Sequence, residues 1–240
     1  MAIATEEISR KISDLQSKSA EEVLKWAFDA FGSGIALASS FQCEESVLID
    51  MMHKTRGSDF RVFTLDTGRM NEETYEVMER MREKYRISIE SQFPEREAVE
   101  KLEKEKGLFS FRQSIENRKE CCGIRKVVPL NRVLSTLDAW ITGLRKEQSV
   151  TRTDTPKIEL DVPRKGMVKV NPLIDWSSDR VWDYIKKNQV PYNKLHDQGY
   201  PSIGCAPCTR AVQKGEDIRA GRWWWENPEQ KECGLHTHQK

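Results

Sequence analysis

Six cysteines carry most of the chemical potential of this sequence: Cys43, Cys121, Cys122, Cys205, Cys208 and Cys233. Thiolates bind metals and attack electrophiles, so each is a candidate ligand or nucleophile. In a reducing compartment, six cysteines point to metal or catalysis rather than to disulfides. Their spacing divides them. Cys205-Ala206-Pro207-Cys208 is a CxxC, a pattern shared by zinc sites, redox dithiols and iron–sulfur clusters. Cys121 and Cys122 are adjacent. Neighbouring residues reach two vertices of one small tetrahedron poorly, whereas a four-iron cluster offers each thiolate its own iron. Four cysteines on a [4Fe–4S] cluster is therefore the economical reading, with zinc and with free or redox-active thiols as the alternatives.

Cys233 stands apart in Glu232-Cys233-Gly234-Leu235-His236, close to the end of the chain. Chain ends are commonly poorly buried, which argues against a structural core cysteine. His236 would stabilise a thiolate if it lay near, and Glu232 would oppose that. The alternative is an incidental tail thiol. Cys43 reads as a small residue at a helix start. Lys126 follows Cys122 by four residues, so on one helix it would share that cysteine's face. There it would offset thiolate charge or meet an anionic substrate; otherwise it is a solvated lysine. Arg219 and Arg222 are three apart, and a helical turn would set them side by side. Paired guanidinium forks bind sulfate or phosphate oxygens. A solvated basic face is the competing reading. Trp223-Trp224-Trp225 follow, and are read as packing or pocket lining rather than as a base-stacking platform.

Strands and helices alternate in the first third of the chain, as needed to place these groups. Val23, Leu24, Ala27, Phe28 and Phe31 share one helix face over residues 20–31, and Gly32 suits its C-cap. Ile35 to Ala38 is a short apolar run read as a buried strand. A helix carrying Val47, Leu48, Met51 and Met52 follows, then a strand from Phe60 to Leu65. Asn71 can cap the next helix, whose expected core stripe is Tyr75, Met78, Met81 and Tyr85. Further strands are expected at Ile87–Ile89 and Ala139–Thr142, a polar, Pro-containing mobile loop over residues 145–157, and a helix from Ser178 with Val181, Trp182 and Ile185 inward. This alternation predicts an α/β fold with a largely parallel sheet, which binds ligands beyond the carboxyl ends of its strands. Ser39-Ser40, Asp66-Thr67-Gly68-Arg69 and Gly143-Leu144-Arg145 fall there. Ser39 and Ser40 precede a helix, so they form either an anion-binding turn or an ordinary N-cap. There is no Walker A loop and no dinucleotide fingerprint.

At 240 residues, with 38% hydrophobic and 32% charged residues, the chain suits a folded globular protein. Its charges nearly cancel at +1, so no global attraction to nucleic acid or a membrane surface is expected. No run of apolar residues is long enough to cross a membrane as a helix, and the first ten residues lack a signal-peptide core. The cytoplasm is the expected compartment.

Together, Cys121-Cys122, Cys205-Ala206-Pro207-Cys208 and Glu232-Cys233-Gly234-Leu235-His236 resemble the sulfonucleotide reductases of assimilatory sulfate reduction, within them the iron–sulfur adenosine 5′-phosphosulfate (APS) reductase type. The resemblance runs from about residue 32 to residue 236 and takes in Leu65 to Arg69, Thr142 to Arg145 and Pro191 to Trp225. It implies a Rossmann-like fold of the adenine-nucleotide alpha-hydrolase-like type. It implies one nucleotide- and cluster-binding domain over residues 1–225 and a tail over 226–240. It implies a [4Fe–4S] cluster on Cys121, Cys122, Cys205 and Cys208, and Cys233 as nucleophile. Lys126, Arg219, Arg222 and His236 would surround the phosphosulfate. Ser40, Leu65 and Gly143 would place the nucleotide, with Ser39 and Arg145 in the same rim loops. The implied reaction yields sulfite and AMP through an S-sulfocysteine, with thioredoxin or a glutaredoxin-like protein as reductant. Use of 3′-phosphoadenosine 5′-phosphosulfate (PAPS), alone or beside APS, is the runner-up. Gln42-Cys43 departs from the Gly-Ala common in the family after the serine loop. The sequence permits a homo-oligomer without requiring one.

Overall fold

The computed structural model describes residues 5–148 and 154–227, so Cys233 and His236 lie outside the described residues. The elements run α1 (Thr5–Leu15), α2 (Ala20–Phe31), β1 (Ile35–Ala38), α3 (Cys43–Arg56), β2 (Arg61–Leu65), α4 (Glu72–Tyr85), β3 (Ile89–Gln92), α5 (Arg96–Lys106), α6 (Ile115–Cys122), α7 (Val128–Leu134), β4 (Ala139–Ile141), β5 (Ile158–Asp161), β6 (Met167–Val170) and α8 (Ser178–Asn188). The strands form one sheet in the order β3-β2-β1-β4-β6-β5. Strand β1 is parallel to β2 and β4, and β4 is parallel to β6, while β5 runs antiparallel to β6. The fold is thus α/β with a largely parallel sheet. The chain leaves β1 toward β2 on one side and reaches β4 on the other. The crevice beyond the ends of β1 and β4 is therefore the topological switch point, where such sheets take their ligands.

Local sequence explains the elements. Ser19 and Glu22 form a reciprocal capping box at the start of α2, with hydroxyl and carboxylate each accepting the other residue's backbone N–H. Gly32, at φ 52°, ends that helix. Three expectations need correction. Strand β3 begins at Ile89, not Ile87: Arg86 turns left-handed at φ 52°, and Ile87 enters the core before pairing starts. Tyr75 is 41% exposed rather than part of a core stripe. Its phenol donates to both carboxylate oxygens of Asp66, at 3.0 and 2.9 Å; Met81 and Tyr85 of the expected stripe are buried, and Val77 joins them. The expected polar loop over 145–157 contains buried Arg145, Thr155 and Lys157, and Lys157 Nζ pairs with Asp175 at 2.9 Å.

The described residues pack as two compact units: those within 1–63, 76–90 and 136–193 form the first, and those within 64–75, 91–135 and 194–240 the second. The first holds the large core, with Leu37, Val47, Ile141, Val168 and Val181 among its fully buried members. The second has a small core of Leu102, Phe111 and Cys121, with Ile124, Cys208 and Trp225 packed on it. Among the described residues, no helix is long and apolar enough to cross a membrane.

Candidate active site

The second unit gathers Cys121, Cys122, Cys205 and Cys208 around one pocket of about 340 Å³, counting its open mouth. Arg69, Phe111, Arg118, Arg125, Lys126 and Trp223 complete the lining. Helix α6 delivers the adjacent pair. Ser114 caps it, its hydroxyl accepting from Asn117 N at 3.1 Å, and Cys121 and Cys122 form its last turn. Residues Gly123–Val127 are then wound as a π-helix. This corrects the expectation that Lys126 simply continues the helix one turn beyond Cys122. A π turn accommodates an extra residue, and such widenings are frequent at functional sites. Here both Arg125 and Lys126 line the pocket with the thiols.

The CxxC is held by its backbone. Ala206 N donates to Arg69 O at 2.8 Å, Cys208 N to Cys205 O at 2.9 Å, and Trp223 N to Cys208 O at 3.1 Å. Thr209 Oγ1 donates to Cys205 O and accepts from Gly204 N, both at 3.1 Å. Asn71, expected as a helix cap, turns its amide onto Gly204 O at 3.2 Å. A Cβ on Gly204 would lie 2.5 Å from the Arg222 guanidinium, so the close approach of that charge requires glycine. Arg222 donates to Ser202 Oγ and Ile203 O, at 3.1 and 3.2 Å. Arg219 and Arg222 are joined by a turn, Arg222 N to Arg219 O at 2.9 Å, not by the helix their spacing suggested.

The pocket is electropositive by construction. Glu103 Oε1 accepts from both Arg69 and Arg125, at 2.8 and 2.6 Å, and Arg125 also donates to Thr67 O at 2.7 Å. Arg118 forms a two-pronged pair with Glu226, both bonds 2.9 Å, with the side chains 1% and 4% exposed. Its guanidinium lies 4.8 Å from the Trp223 ring centre. The thiols respond differently to this field. Burial alone would raise the Cys205 pKa, but Lys126, the Thr67 hydroxyl 3.4 Å away and Arg222 together bring it below the ordinary thiol value. Cys208 is pushed up to about 12, by burial first and by the negative charge of Cys205 second. Burial also raises Cys121, against the pull of Arg125 and Arg69.

The first unit holds Ser39, Ser40, Gly143 and Arg145 at the switch point. Ser40 Oγ and Gln42 N donate to Glu45 Oε2, at 3.3 and 3.1 Å, so Glu45 fills the start of α3 with its own carboxylate. Ser39 Oγ accepts from Phe41 N at 3.2 Å. Phe41 is fully buried at φ 56°, a left-handed conformation uncommon for a bulky side chain and typical of strained functional turns. A Cβ on Gly143 would lie 2.5 Å from Glu45 Oε1, so the end of β4 passes α3 only as glycine. The buried Arg145 guanidinium pairs with Glu44 at 2.8 Å and Glu147 at 2.9 Å, and donates to Trp176 O at 3.3 Å. Burial, with Glu44 second, lifts Glu45 to about 7. The Cys43 thiol donates to Glu44 at 3.1 Å, and burial raises its pKa well above the usual value.

Of the residues predicted from sequence, the four paired cysteines and Lys126 meet at one pocket, with Arg222 among the charges acting on Cys205. Leu65 ends β2, in the second unit. Sequence reasoning placed Arg69 in a rim loop without assigning it to the cysteines, and missed Arg118, Arg125 and Glu226. Arg118 precedes Cys121 by three residues, a helical spacing that would have found it.

Residues 34–211 match the phosphoadenosine phosphosulfate reductase domain, and the chain belongs to that family. Within it, the chain is 50% identical over 205 residues to the adenosine 5′-phosphosulfate reductase of Allochromatium vinosum, covering 85% of this chain and 79% of that protein. It is 46% identical over 230 residues to the enzyme of the same name from Pseudomonas aeruginosa strain LESB58, covering 94% and 85%. The crystal structure of a phosphoadenylyl-sulfate reductase from Candida auris superposes with a TM-score of 0.74 at 29% identity, covering 88% of this chain and 99% of that one.

Proposed function

We propose that this chain is a cytoplasmic adenylyl-sulfate reductase that converts adenosine 5′-phosphosulfate to sulfite and AMP in sulfate assimilation. The observation that carries the reading is the gathering of Cys121, Cys122, Cys205 and Cys208 around one pocket with Lys126, Arg69 and Arg125. Identity of 46–50% to APS reductases, against 29% to the PAPS enzyme, favours APS as substrate.

The donor set fits a [4Fe–4S] cluster: four thiols from two segments, flanking cations, and walls of Phe111 and Trp223. Cys121 and Cys122 of α6 and Cys205 and Cys208 of the CxxC would hold the cluster, which would supply a fixed anionic centre beside Lys126 and Arg125.

The reacting group is Cys233. Its thiolate attacks the sulfur of APS; an S–S bond forms, the S–O bond to AMP breaks, and S-sulfocysteine remains. Lys126, Arg219 and Arg222, with His236, neutralise the phosphosulfate as charge passes to the leaving AMP. Ser39, Ser40, Leu65 and Gly143 position the nucleotide, and Arg145 orders the same loop through Glu44. An external dithiol, thioredoxin or a glutaredoxin-like protein, then attacks the Cys233 sulfur. Sulfite leaves, and the partner's second thiol closes its disulfide and returns the Cys233 thiol. The test is sulfite release from APS with thioredoxin, repeated with PAPS. APS is expected to be the better substrate by kcat/KM. Turnover of PAPS alone would overturn the assignment. Without reductant, mass spectrometry should find an adduct of about 80 Da on Cys233.

A further inference from the structure

The second unit exposes aromatic and aliphatic surface that the pocket does not use. Phe109 and Leu108 are 55% and 56% exposed, and Trp224 is 39% exposed. They surround Arg112, whose guanidinium lies 5.1 to 5.7 Å from the ring centres of Phe109, Phe111, Trp224 and Trp225. Arg112 also donates to Pro207 O at 3.1 Å, which fixes it against the CxxC turn. Lys104, Glu105 and Lys106 are exposed beside Leu108 in sequence. A rigid Phe, Trp and Arg cluster with a charged rim has the composition of a binding hot spot.

The covalent chain says what covers it. Trp225 packs on Phe111 at 5.9 Å, and the next residue, Glu226, is clamped by Arg118. Asn227 is six residues from Cys233, so the two Cα atoms are no more than about 22 Å apart in any conformation. A protein that bonds to the Cys233 sulfur is therefore held within that reach of Asn227, two residues beyond Trp225. We infer that the Phe109, Leu108, Arg112 and Trp224 surface docks the dithiol protein that discharges the Cys233 adduct, through an apolar face around that partner's cysteine pair. This rests on the thioredoxin-dependent second step proposed above.

Phe109→Glu with Leu108→Glu, and separately Trp224→Ser, test it in the cluster-loaded enzyme. Neither variant replaces a lining residue; Phe109 packs on the lining residue Phe111 with ring centres 6.0 Å apart, so Trp224→Ser and the adduct readout serve as controls for the pocket. The expected result is a rise of about tenfold or more in KM for thioredoxin. Adduct formation on Cys233 in a single turnover, and sulfite release driven by dithiothreitol, should match the parent. An unchanged KM for thioredoxin overturns the inference. So does an equal loss in adduct formation, which would make the surface part of the first step. Sedimentation showing a dimer that the variants dissociate would assign the surface to a second copy of the chain and also overturn it. If the parent forms the adduct but thioredoxin never releases sulfite, the second step itself fails, and that outcome is separate from a docking defect.

Discussion

The thiol pocket of the second unit and the serine loop of the first solve opposite electrostatic problems. The pocket collects cations around sulfur: Lys126 and Arg222, with the Thr67 hydroxyl, draw the half-buried Cys205 toward its thiolate form. The loop collects acids around a helix start, where an external anion would ordinarily be welcomed. Glu45 takes the donors of Ser40 and Gln42 for itself, and Glu44 is closed off by Arg145. One region is prepared for external negative charge, and the other has satisfied its positive ends internally. Cationic groups therefore gather at the pocket, while the donors of the loop are already satisfied within the protein.

The contrast can be broken most severely at the cysteines. Cys233→Ser should abolish sulfite release while iron content stays at that of the parent. Cys205→Ser should lose iron and the absorbance near 400 nm together with activity. Retention of the full cluster in Cys205→Ser would contradict the ligand set. Lys126→Ala is expected to lower kcat/KM for APS by about 10²–10³, the scale of a lost charge-stabilising donor. A change confined to KM for thioredoxin would remove Lys126 from the first step.

The smallest effect sharpens the other side of the comparison. Glu45 rises from 4.5 to about 7 on folding, so the folded state holds its proton more tightly. Its contribution to stability is complete below about pH 4.5 and is lost as pH rises through about 7. Urea midpoints of the parent and Glu45→Gln, measured at pH 5 and pH 7.5, should differ. The variant should gain about 1–3 kcal/mol relative to the parent between the two. Parallel pH profiles would show that Glu45 titrates normally.

Much of the scaffold was legible because its signals are local. The buried run Ile35–Ala38 matches β1, and the stripe from Val23 to Phe28 with Gly32 matches α2. The paired cysteines were legible because adjacency and CxxC are rare spacings. The π turn after Cys122 was not, since it arises from a one-residue shift in backbone hydrogen bonding that leaves no mark in residue type. Tyr75 sits at the right helical spacing for the core, yet its hydroxyl finds Asp66, a pairing no periodicity encodes. Arg145 looked like a rim cation; that Glu44 and Glu147 close around it depends on how distant segments meet. The fate of Cys233 lies outside the described residues.

Arg118 and Cys121 occupy successive positions on a single turn of α6, which is stiff on the scale of a side chain. Whatever sets the azimuth of the sulfur therefore sets the azimuth of the guanidinium, and through Glu226 the origin from which the last residues depart. The Cys121 sulfur and the Arg118–Glu226 clamp thus share one mechanical axis, so a twist applied at either is felt at the other.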